Sequence, residues 1–192
     1  MCERTGKVIF LNGTSSSGKT TIAKELQKVF QEPYLHVSLD AFLLQLPETF
    51  LMNRERFIQE LPLLLAGFHS SCAAIARTGN NIIIDTVLQE QCWVTPCVRA
   101  FEDLKVVFVA VRCSIETLES REKARGDRSV GMARYQYDRV HSHGVYDLEV
   151  DTSIMSLETC ISTILKYVQS EEQPHAFRKL RMASKIREAD NS

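Results

Sequence analysis

A chain of 192 residues that is 44% hydrophobic and 24% charged has the composition of one ordinary globular domain, neither a disordered tail nor a small disulfide scaffold. Its 23 Lys and Arg against 24 Asp and Glu leave a formal charge of −1, so no global field draws it to nucleic acid or membrane. Any anion site must be local.

The first apolar run, residues 8–11, reads Val-Ile-Phe-Leu and stops at Asn12 and Gly13, which suits a strand buried on both faces of a parallel sheet. From Gly18 the period changes: Ile22, Leu26, Val29 and Phe30 recur at helical spacing, and Pro33 marks the end. Residues 34–38, 81–85, 105–112 and 146–151 read as four further strands, separated by helical stretches. This alternation predicts an α/β fold of three layers, a parallel sheet between helices, with ligands outside the carboxyl ends of the strands. Residues 41–78 are long for one crossover and hold Pro47 and Pro62, so two or more helices over the acceptor side of the sheet are expected. Residues 1–172 read as one domain, and 173–192, with Arg178, Lys179, Arg181, Lys185 and Arg187, as an exposed basic terminal helix or tail.

No run approaches the roughly 18 apolar residues of a membrane-spanning helix. The opening residues lack a signal-peptide core, so the expected location is the cytosol. The six cysteines form no CxxC pair and are expected as reduced, packed thiols.

Gly13-Thr14-Ser15-Ser16-Ser17-Gly18-Lys19-Thr20 fits GxxxxGK[ST] and lies between a buried strand and an amphipathic helix, as the mechanism of that motif requires. Glycines let the main chain turn so that successive amides face phosphate oxygens, and the helix start adds positive potential. Lys19 would offer an ammonium to the β- and γ-phosphates, Thr20 a hydroxyl to magnesium, and Thr21 continues the cradle. ATP and Mg²⁺ are the expected cofactors. No Asn-Lys-x-Asp string exists to read guanine, and the chain is short for a motor ATPase, which favours a small kinase.

Asp40 falls just past the second strand, where a carboxylate can orient an acceptor hydroxyl and take its proton; a helix cap is the competing role. Asp85 ends the Ile82-Ile83-Ile84 strand and is a candidate for magnesium, directly or through water, or for a structural bond to a loop hydroxyl. Residues 121–131 form a candidate lid, in which Arg125 and Arg128 would neutralise the transferring phosphoryl group. His141 and His143 complete no persuasive metal set, and Trp93, Phe50, Phe57 and Met52 are either plain core or an acceptor-pocket lining.

Several of these strings together resemble the chloramphenicol phosphotransferase family. They are the run from Ile9 through the loop, Leu39-Asp40 with Leu46-Pro47, Ile82-Ile83-Ile84-Asp85, Ala124-Arg125-Gly126-Asp127-Arg128 with Gly131-Met132-Ala133, and His141 followed by Tyr146-Asp147-Leu148-Glu149-Val150-Asp151-Thr152. The resemblance implies a five-stranded parallel sheet of nucleoside-kinase type, ATP-dependent phosphorylation of a small-molecule alcohol, Asp40 as base, Arg125 and Arg128 as lid arginines, and Thr152 near the adenine pocket. The family pattern is left at residues 48–71 and after 170, and the former segment is expected to shape acceptor choice. Two alternatives stay open: a nucleotide-dependent binding protein whose basic tail engages a partner, and a kinase for a nucleoside, a shikimate-like alcohol or an RNA end. Oligomeric state is open as well.

Overall fold

The computed structural model describes residues 4–125 and 131–190, with only the backbone of 125 and 187–190. Five parallel strands form one sheet: β1 (Val8–Asn12), β2 (Tyr34–Ser38), β3 (Asn81–Thr86), β4 (Val106–Arg112) and β5 (Leu148–Asp151), in the order β2-β3-β1-β4-β5. Helices α1 (Lys19–Val29), α2 (Leu39–Leu43), α3 (Glu48–Met52), α4 (Arg54–Arg77), α5 (Gln91–Ala100), α6 (Ile115–Arg125), α7 (Met132–Tyr137), α8 (Leu157–Gln169) and α9 (Ala176–Asp190) connect and flank them.

The sheet is apolar on both faces because each central strand divides its side chains between two cores. Val8, Phe10, Ile82, Ile84 and Phe108 face one way, toward residues of α4, α5 and α9. Ile9, Leu11, Ile83, Val109 and Val111 face the other, toward α1 and α8. Hence Val-Ile-Phe-Leu reads as a continuous run. The change of strand order at β1 puts its carboxyl end at the crevice where ligands of such sheets collect.

Two expectations are corrected. The 41–78 segment does fold as several helices, but Pro62 ends none of them: α4 runs straight through it. A mid-helix proline costs about 3 kcal/mol, and the long apolar stripe of Leu65, Phe68, Cys72, Ala73 and Ala76 against the core outweighs it. The terminal helix is also no exposed arm. Ala176, Phe177, Leu180 and Ser184 are buried, and the Phe177 ring lies 5.3 Å from Phe10 and 5.0 Å from Phe108. Asp147 fastens its start by accepting from the amides of His175 (2.7 Å) and Ala176 (2.9 Å), and from Phe108 N on β4 (2.9 Å). Among the described residues no helix is long and apolar enough to cross a membrane, and the described cysteines are free thiols, with Cys92 alone exposed.

His69 on α4 lies in this core, 1% exposed, with Nε2 lacking a hydrogen bond, and burial pushes its pKa from 6.5 down to about 4. The unfolded chain takes up this proton near pH 6.5 while the folded one resists until about 4, so stability is full above 6.5 and is lost as pH falls between those values. At pH 5 the loss from His69 alone is about 2 kcal/mol. Urea titrations at pH 7 and pH 5 should show this drop, and His69→Leu should lessen it by about that amount, the part-buried His141 and His143 supplying the rest; an unchanged drop in the variant would exclude His69 as a source.

Candidate active site

Residues 13–18 turn sharply between β1 and α1, and two positions show why glycine stands there. A Cβ on Gly13 would lie 2.4 Å from the Val111 carbonyl oxygen of the neighbouring strand, and Gly18 has φ 94°. Ser16, with φ 65°, adopts the left-handed region without being glycine. Gly18 occupies the cap position of α1 and no side chain caps that helix, so its first amides are left for an anion. Thr14, Ser15, Ser17 and Lys19 are buried. The Lys19 ammonium donates to the carbonyls of Gly13 (2.9 Å) and Thr14 (2.8 Å), holding the loop's entrance against the start of the helix.

Thr20 Oγ donates to Asp85 Oδ2 at 2.6 Å, so of the roles foreseen for Asp85 the bond to a loop hydroxyl is present. A threonine that donates its proton there keeps its oxygen lone pairs for a cation. His36 Nε2 on β2 lies 3.5 Å from the same Asp85 oxygen. Burial works to raise the Asp85 pKa, but His36, Lys19 and Thr20 together hold this carboxyl below its ordinary range, so it is anionic at neutral pH.

Asp40 stands in the first turn of α2, exposed, while Ser38 occupies the cap position; the carboxylate is therefore not the cap. It opens onto the same cleft, of about 460 Å³, as Ser16, Lys19, Thr20 and Asp85. Thr21 and Thr152 line the cleft too. Thr152 Oγ1 donates to Ser17 O (2.9 Å), which ties β5's exit to the loop. Of the two arginines expected over the phosphates, Arg128 lies outside the described residues, and Arg125 ends α6 with only its backbone described.

Among the described residues, the arginine that meets the loop is Arg121. Its guanidinium donates to Thr152 Oγ1 and Thr152 O, both at 3.0 Å, and to Ser16 O at 3.4 Å. The signal for it was present: Arg121 stands one helical turn before Arg125 and shares its face. Gln136 of α7 was also missed; its Oε1 accepts from Ser15 N at 2.7 Å. So was Asn12, whose amide group donates to Tyr146 OH (2.8 Å) and accepts from Leu88 N (2.8 Å). These contacts span between 76 and 134 residues, and no local pattern announces them.

His141 and His143 belong to this packing. His141 Nδ1 pairs with Tyr146 OH at 2.7 Å, and the His143 ring stacks on Phe108 at 5.3 Å. Burial first, and Arg112 second, push both imidazoles down to about 4, so they are neutral at physiological pH. The aromatic candidates stay out of the cleft lining: Trp93 packs on the core, Phe50 pairs with Phe57 under Arg56, and Met52 is 75% exposed.

Polyphosphate and magnesium fit this arrangement. The hydroxyls of Ser16, Ser17 and Thr86 are buried at or beside the loop without hydrogen-bond partners among the described residues, which is costly unless a ligand supplies them. No group of three or more His, Cys, Asp or Glu could cage a metal among the described residues. Magnesium needs no such cage, because it is typically held by one or two protein oxygens together with phosphate oxygens and water.

The family model described as chloramphenicol phosphotransferase-like protein matches residues 6–169. Proteins described as "Putative O-phosphotransferase" in two strains of Mycobacterium tuberculosis, CDC 1551 and H37Rv, are 31% identical over 92% of this chain and 88% of their own. Among solved structures, an unliganded sugar kinase from Janibacter sp. HTCC2649 superposes with a TM-score of 0.64 at 17% identity, covering 85% of this chain and 94% of that one. A gluconokinase from Sinorhizobium meliloti 1021 gives 0.61 at 14% identity, over 96% and 98% of the two chains. At these identities the two structures speak for the fold, which is that of the phosphate-loop kinases.

Proposed function

The chain belongs to the chloramphenicol phosphotransferase-like family, and from that premise we propose that it transfers the γ-phosphoryl group of ATP to a hydroxyl of a small, partly apolar alcohol. The coarser part of this reading, a phosphotransferase of the phosphate-loop kinase type, follows from the family. The observation that carries the finer part is the sharing of one cleft by Asp40 and the loop residues Lys19 and Thr20.

In this reading the amides of Ser16 and of residues 18–21 hold the triphosphate, Lys19 leaves the loop carbonyls for the β- and γ-phosphates, and Arg121 and Thr152 border the nucleotide on the β5 side. Thr20 and the anionic Asp85 are the residues suited to hold magnesium. The ion would neutralise charge on the β- and γ-phosphate oxygens. Asp40 takes the acceptor's proton as its oxygen bonds to the γ-phosphorus and the bond from that phosphorus to the β–γ bridging oxygen breaks, releasing ADP. Arg125 and Arg128 are the proposed lid cations that stabilise the phosphoryl oxygens.

An apolar character for the acceptor is supported by Leu39 and Val87, which line the cleft with Asp40. Chloramphenicol is one compound of this kind. A screen for acceptor-stimulated ADP release across antibiotics, nucleosides and sugars tests the proposal. At least one alcohol should accelerate ADP formation and gain a phosphate by mass; ADP formation that no alcohol stimulates, beside ATP-dependent binding to a macromolecule, would favour the binding-protein reading.

A further inference from the structure

One strained residue stands in the middle of the loop; the peptide unit that follows it and the Thr14–Ser15 unit one step before it are both held. Ser16, at φ 65°, pays a steric penalty that glycine would not. Before it, the peptide joining Thr14 to Ser15 is fixed at both ends. Thr14 O accepts from Lys19 Nζ (2.8 Å) and Ser17 N (3.2 Å), and Ser15 N donates to Gln136 Oε1 (2.7 Å). After it, the peptide joining Ser16 to Ser17 is fixed by Ser17 N and by the Arg121 guanidinium on Ser16 O.

Of these anchors Gln136 is the one whose construction has no other evident use. It is 7% exposed, comes from a helix 121 residues further along the chain, and is itself held, its Nε2 donating to Gln89 Oε1 at 3.1 Å. Buried amide side chains are retained where both ends are satisfied, and here one end is satisfied by a phosphate-loop amide. That amide is withdrawn from the ligand. The bond therefore sets the loop's shape and does not grip phosphate.

We propose that Gln136 is a positioning residue for nucleotide binding: by holding the Ser15 amide it keeps Ser16 in the left-handed conformation that opens the nest toward the triphosphate. The proposal rests on the ATP reading above. Without the Gln136 oxygen, Ser16 relaxes toward negative φ and its neighbouring amides lose their common direction. Binding energy for ATP is then spent on rebuilding the loop.

The test is a coupling experiment with two variants. Gln136→Leu should weaken binding of the magnesium complex of a non-hydrolysable ATP analogue about tenfold by calorimetric titration, with a similar fall in kcat/KM for ATP. In a Ser16→Gly background, where the left-handed conformation is no longer strained, the same substitution should cost about twofold or less. A role of Gln136 in packing α7 alone would give equal losses in both backgrounds, and that result overturns the proposal, as does unchanged affinity in Gln136→Leu. Should that variant not fold, Gln89→Leu removes the support of Gln136 and should give a smaller loss, again cancelled by Ser16→Gly; no loss, or one that persists in that background, overturns it. If the wild-type protein binds no ATP analogue at all, the ATP reading fails first and is identified as the cause.

Discussion

Asp40→Asn is expected to lower acceptor-dependent turnover by about 10² to 10⁴ while leaving the affinity for ATP near that of the wild type. Asparagine keeps the shape of the side chain and can still hydrogen-bond a hydroxyl, but it cannot accept that hydroxyl's proton. Asp40 is exposed in the first turn of α2, so the exchange should cost little stability. The loss should therefore appear in kcat, with KM for ATP and the melting temperature nearly unchanged. Turnover equal to wild type would remove Asp40 as the base and leave the cleft with only its nucleotide half explained.

Lys19→Ala has an expected effect of similar size, a fall in kcat/KM for ATP of about 10³, equivalent to about 4 kcal/mol. Lys19 is 7% exposed, and in such a buried loop a charge acts at low effective dielectric and its removal is poorly compensated by water. The same substitution removes one donor from each of the Gly13 and Thr14 carbonyls, so the protein should also lose about 2 kcal/mol of stability, read as a melting temperature lower by several degrees. The two effects separate by measuring affinity well below the melting point. Equal nucleotide binding and transfer in both proteins would contradict the role given to Lys19.

The fold was largely legible because its signals are local. A run such as Val-Ile-Phe-Leu must be buried on both sides, and the change to helical spacing after Gly18 places strand, loop and helix in one order. The loop was legible for the same reason: its glycines answer a close approach to Val111 O and a positive φ, and its lysine and threonine follow at fixed spacing. Pro62 misled because a local helix-breaking preference competes with burial of a long stripe, and the stripe won. The terminal helix misled in the opposite way, since a basic outer face masked the buried Phe177 and Leu180.

Two supports of the site were not legible. Gln136 and Asn12 act through amide, carbonyl and hydroxyl groups brought together by the sheet order, and a neutral glutamine inside a short helix carries no mark of what it meets. The Thr20–Asp85 bond could be foreseen as one alternative but not chosen, because burial and three favourable neighbours pull the carboxyl in opposite directions.

The most direct measurement of the central claim is a crystal structure of the protein with the magnesium complex of a non-hydrolysable ATP analogue. The triphosphate should lie along residues 13–21 with its terminal phosphate facing Asp40 across a gap that admits one hydroxyl group. A triphosphate bound elsewhere, or a terminal phosphate directed away from Asp40, would contradict it.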